Sequence, residues 1–150
     1  RESLTNRLYD YGLRFGESRS AIRDSLGPPA RVEVRVEENR HVEGAYDSLF
    51  TLTYPGLVFE LNRPGPVSGE LLTWVRLTDA GAELPGGVRV ETTVRDELIA
   101  RLGRPERTGQ RGDTATLVYA VPDGVGADEL VEFLLTADTL RAVEWAPYVD

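Results

Sequence analysis

One short phrase constrains this chain more than any other. It is a helix stop, Leu-Gly-x-Pro, and it is written twice. The first copy is Leu26-Gly27-Pro28-Pro29; the second is Leu102-Gly103-Arg104-Pro105. Glycine accepts the positive φ that closes a helix, and proline cannot continue one. Ahead of the first stop, Ser18 is placed to cap a helix that carries Ile22 and Leu26 on one face. Ahead of the second, Thr92 or Thr93 is placed to cap a helix with Val94, Leu98 and Leu102 on one stripe. Gly27 and Gly103 are therefore expected just past two helix ends, with Ile22, Leu26, Leu98 and Leu102 buried.

After each stop the apolar period changes from helical spacing to alternation. Arg31 to Glu37 alternates strictly, with Val32, Val34 and Val36 on one side and Arg31, Glu33, Arg35 and Glu37 on the other. This predicts a half-buried strand. Asp47 to Tyr54 follows, with Phe50, Leu52 and Tyr54 inward. Pro55-Gly56 suits a type II turn, and Leu57 to Leu61 returns with Leu57, Phe59 and Leu61 inward. Leu71 to Thr78 is a fourth strand, with Leu71, Thr73, Val75 and Leu77 inward and Trp74 and Arg76 outward. The segment 79–87 reads as a linking loop. Behind the second helix, 106–112 is a polar match to the first strand. Three further strands are expected around Ala115 to Val121, Glu129 to Leu135 and Thr139 to Trp145.

The predicted fold class is α+β. Two tandem repeats, 1–80 and 81–150, each hold a short helix and about four antiparallel strands, with the helices packed on one sheet face and the halves forming one compact unit. Leu4, Leu8 and Tyr11 add a helical stripe at 1–11.

The phrase Gly12 to Pro29, its return at Gly87 to Pro105, and the hairpins around 57–77 and 129–145 resemble the BamE/SmpA-like and β-lactamase-inhibitor-protein-like (BLIP-like) family. The tandem arrangement is similar to the inhibitor branch. Two features depart from the family pattern: there are no cysteines, and the first helix of each half is faint at 1–11 and missing from 79–87. The resemblance implies a periplasmic, envelope-anchored or secreted binding protein, with an enzyme inhibitor as the narrower alternative. The chain starts at Arg1 and has no Met; it reads either as a trimmed piece or as a mature exported protein, and the resemblance favours the second, with a removed leader or a lipid anchor upstream of Arg1.

Composition narrows the chemistry. A net charge of −8 disfavours phosphate-backbone binding, so nucleic acid is not an expected partner. No apolar run reaches bilayer-crossing length. His41 is the single histidine, so no metal site and no cofactor are expected. The segment Asp123 to Asp128 is sparse in ligands for Ca²⁺ and reads as a hairpin loop. Glu37-Glu38 and Asp128-Glu129 are neighbours in sequence and so fall on opposite strand faces. Arg111-Gly112-Asp113 reads as a chance triplet in a polar loop. No catalytic residue is identified; an enzyme with a carboxylate-based site is the competing class. Trp74 is the feature left over. Facing outward beside Arg76, Thr51, Thr53, Val58 and Glu60, it either marks an open sheet face for protein–protein interaction or is covered by a loop or by the other half of the chain.

Overall fold

The computed structural model describes residues 15–65, 69–80, 83–84, 86–122 and 128–146. In chain order they form α1 (Arg19–Leu26), β1 (Arg31–Glu38), β2 (Tyr46–Tyr54), β3 (Leu57–Arg63), β4 (Leu71–Leu77), β5 (Glu83–Leu84) and β6 (Val88–Arg89). Then come α2 (Arg95–Leu102), β7 (Arg107–Arg111), β8 (Thr114–Pro122), β9 (Asp128–Thr136) and β10 (Thr139–Trp145). Eight strands make one sheet in the order β1-β2-β3-β4-β10-β9-β8-β7, and every neighbouring pair is antiparallel. Two four-stranded meanders thus meet where β10 lies beside β4. The expected stripe at 1–11 and the loop at 123–127 lie outside the described residues.

The α+β expectation, with two repeats and helices packed on the sheet, is corrected. The described residues are mostly β: one continuous eight-stranded antiparallel sheet with two short helices. Each described helix has eight residues, too short to be stable alone in water. Each sends one fully buried side chain into the core, Ile22 from α1 and Leu98 from α2. Burying such a side chain is worth about 1.5–3 kcal/mol, which anchors a two-turn helix without making it a layer. Leu26, expected inside, is exposed, and Leu102 is half-buried.

The linking segment does more than a loop would. β5 and β6 pair as a small hairpin, and Leu84, Val88 and Val90 from it are buried in the core. Phe15 joins them, meeting Phe59 edge-on at 5.9 Å between centroids. The core therefore lies on one sheet face, among Leu52, Phe59, Leu61, Val75, Phe133, Val143 and Trp145.

The helix ends follow their residues closely. Ser18 caps α1, its hydroxyl accepting from the Ala21 amide at 3.1 Å. Gly27 and Gly103 sit at φ 81° and 85°, with ψ −169° and −167°. This is the extended positive-φ region that glycine alone occupies easily, rather than the left-handed helical one. Each glycine carbonyl accepts a hydroxyl from the sheet: Tyr54 donates to Gly27 at 2.8 Å and Tyr119 to Gly103 at 2.9 Å. Thr92 and Thr93 do not cap α2. Val94 holds the cap position without a side-chain bond, and the Thr93 hydroxyl accepts from the Arg89 amide instead. Asp96 and Glu97 in the first turn complement the helix dipole.

Two strand expectations also change. β1 is exposed on both faces: Val34 is 61% exposed and Val36 62%. It is an edge strand of the sheet, and its valines lie outside the buried core. In β4 a bulge against β3 falls between Glu60 and Leu61. Thr73 occupies it, its hydroxyl donating to the Glu60 carbonyl. The alternation slips there, so Leu72 is buried while Leu71 and Thr73 are half-buried.

Candidate functional site

The bulge decides where Trp74 points. It sets Trp74 opposite Glu60 across β3–β4, on the face away from the core. Directly opposed residues in a sheet share a face, so the expected site residues can be traced from the register. Glu60 faces Thr51, and Thr53 faces Val58, which faces Arg76. The structure brings all six together: Trp74, Arg76, Thr51, Thr53, Val58 and Glu60 form one half-buried patch on β2, β3 and β4.

The patch does not stop at β4. Arg76 lies opposite Glu144, Glu144 opposite Glu132, Glu132 opposite Val118, and Val118 opposite Arg107. A single cross-strand row thus runs over the whole sheet, from Arg31 and Thr53 at one side to Arg107 at the other. Along it a shallow, open depression of about 150 Å³ is lined by Trp74, Val118, Leu130, Glu132 and Glu144. Val118 is 5% exposed although it belongs to this face, so the floor is sunken and apolar.

Its electrostatics are set by two acids. Glu132 and Glu144 are directly opposed, an arrangement of like charges that costs sheet stability. Arg76 approaches Glu144 at 3.6 Å, and the Glu144 side chain is only 18% exposed. Burial pushes the Glu144 carboxyl above its ordinary value; Arg76 opposes the shift, Glu132 adds to it and Arg111 opposes it. Burial and the neighbouring acid outweigh the two arginines. The site is a pair of carboxylates beside an indole face, with an arginine on each flank, Arg76 and Arg107.

Glu132, Glu144, Val118, Leu130 and Arg107 were not among the sequence-derived site residues. Each lies on the outward side of its own strand by simple alternation. The missing datum was the pairing of β10 with β4, which aligns the second meander's outer residues with the first's.

Other polar features resolve into structural roles. Glu70 is held by the Arg19 side chain and by its amide at 3.2 Å, which ties the start of α1 to the approach to β4. The Arg19 guanidinium also lies 3.5 Å over the Phe50 ring. His41 stands in the exposed loop between β1 and β2. Asn39 closes that loop by accepting the His41 and Val42 amides. Arg111-Gly112-Asp113 forms the exposed turn between β7 and β8. Glu37 and Glu38 are both exposed on β1.

No protein-family model, curated protein or solved structure matches the chain. Among the described residues, no helix is long and apolar enough to cross a membrane.

Proposed function

We propose that this chain is a non-enzymatic binding protein whose outer sheet face holds a partner protein. Trp74 is the central anchor, and Glu132 with Glu144 receives a lysine or arginine of the partner. The observation that carries this reading is the acid pair itself. Two opposed glutamates beside a tryptophan are unfavourable in the free chain and become favourable when a cation enters between them. Aromatic anchors in a desolvated centre, with a polar rim, are the usual source of interface affinity. Thr51, Thr53, Val58, Glu60 and Arg76 extend the contact surface. The extracytoplasmic setting, with or without a lipid anchor upstream of Arg1, is part of the proposal and rests on the BamE/SmpA-like and BLIP-like resemblance. Inhibition of a secreted β-lactamase or protease is its narrower form.

Selection of displayed peptides on the immobilised full chain tests the reading without a known partner. Bound sequences are expected to be enriched in Lys or Arg. Trp74→Ala and Glu144→Gln should each weaken them by about 2 kcal/mol or more, roughly thirtyfold in Kd. Binders that ignore both substitutions would remove this face from the site.

The same acid pair favours one other class, a carboxylate-based enzyme, because a carboxyl raised by burial and set opposite a second carboxyl suits acid–base chemistry. Glycoside or ester turnover that is lost in Glu144→Gln would select that class over binding.

A further inference from the structure

We propose that the chain self-associates through β1, antiparallel and centred on Val34, so that two eight-stranded sheets become one. β1 is an end strand of the sheet, and among the described residues nothing pairs with its outer edge. Its pairing with β2 is regular over all eight residues. Two of the devices that blunt an edge, a proline and a bulge, are absent from it; a third, charge, is present in Arg31, Glu33, Arg35, Glu37 and Glu38.

The sequence of β1 is complementary to its own reverse. Set antiparallel about Val34, Val34 meets Val34 of the second copy and Val32 meets Val36. On the other face Arg31 meets Glu37 and Glu33 meets Arg35. Each of these charges then opposes its opposite, and each valine a valine. Opposed pairs of both kinds stabilise an antiparallel ladder. Other registers lose this: centring on Arg35 sets Arg35 against itself and Glu33 against Glu37. In the single chain these charges pair along the strand instead, Arg31 with Glu33 at 3.2 Å and Arg35 with Glu37 at 2.9 Å, all well exposed. Such exposed pairs are weak and are exchanged for cross-strand ones at little cost. The valine face, open to solvent in the chain, gains a matching valine face. The opposite edge, β7, lacks this property: self-pairing about Gly109 would set Arg107 against Arg111. Closure through one self-complementary edge gives a two-fold dimer and no filament.

Sedimentation across a concentration series of the full chain tests the proposal. The mass is expected to rise toward twice the 16.6 kDa of one chain. Arg35→Glu and Glu33→Arg should each remain single chains, because each creates like-charge pairs about the two-fold axis. Both sites are exposed, so the fold should survive. Mixing the two variants should restore the dimer as a heterodimer, and so should combining both changes in one chain. The Val34→Cys protein, in a chain with no other cysteine, should oxidise to a disulfide-linked dimer, whereas Gln110→Cys on β7 should not. A single-chain mass at every concentration overturns the proposal. So does a dimer that is indifferent to the charge reversals.

Discussion

Glu144 is a residue whose ionisation opposes folding. Its carboxyl is raised in the folded chain, chiefly by burial. The folded state therefore holds its proton more tightly than the unfolded state, and stability falls as pH rises from the ordinary carboxylate range through the folded value. Glu144→Gln is expected to stabilise the free chain at neutral pH, with the gain disappearing as pH falls below the unfolded value. Thermal unfolding of both proteins across pH 3–8 (about the range in which carboxylates and their raised forms titrate) reads the effect; a gain that grows on acidification would contradict it. The two helix-stop glycines give a second residue-scale expectation. Nothing lies within 4 Å of a Cβ built at Gly27 or Gly103, so the cost of a side chain there is backbone conformation alone. Gly27→Ala and Gly103→Ala should each cost about 1–3 kcal/mol in denaturant unfolding. These stops were legible in the sequence because Leu-Gly-x-Pro acts locally. The pairing of Glu144 with Glu132 was not, because a bulge between Leu140 and Ala142 shifts the register of the β9–β10 hairpin.

At the scale of elements, each helix is tied to the sheet by the same joint. Tyr54 and Tyr119 donate to the carbonyls of Gly27 and Gly103, and each ring meets a phenylalanine edge-on, Phe59 at 6.0 Å and Phe133 at 5.5 Å. Burial raises both phenols above their ordinary values. Tyr54→Phe and Tyr119→Phe keep the ring contacts and remove the bond, so each should cost about 0.5–1.5 kcal/mol, with amide exchange rising first in the attached helix. A cost near zero would mean that water replaces the hydroxyl. Strand positions with clean alternation were legible: Phe50, Leu52 and Tyr54, or Leu57, Phe59 and Leu61, face the core as read. Where a bulge intervenes, alternation misleads. Thr73 breaks the count in β4, and Leu72 takes the core place assigned to Leu71. The β5–β6 hairpin was hidden because its glycines and proline look like a loop, while Leu84, Val88 and Val90 fill the core. The valines of β1 carry a buried-strand pattern, yet the sheet edge leaves them open.

At the scale of the molecule, the pairing of β4 with β10 turns two meanders into one surface. Val143 faces Leu77 and Trp145 faces Val75 across it on the core side, while Arg76 faces Glu144 on the other. One junction thus completes both the core and the candidate site. Disrupting it from the core side should damage both: Val143→Ala is expected to cost about 1–3 kcal/mol by cavity formation and to weaken ligand binding on the opposite face. Binding unchanged in that variant would show that the two meanders hold the site independently. The helix-stop phrase and the strand alternation could be read from neighbours in the chain. The single sheet could not, because long-range strand order leaves no local trace in composition or period.

Amide and indole NMR spectra of the isotopically labelled chain, titrated with a selected Arg-bearing peptide, read the outer face directly. Binding there is predicted to move the Trp74 indole and the amides of Arg76, Val118, Glu132 and Glu144, and to leave Ile22, Leu98 and the β5–β6 hairpin unchanged. A bound peptide that leaves the Trp74 indole in place and shifts β1 or the helices instead would contradict the assignment of this face as the binding surface.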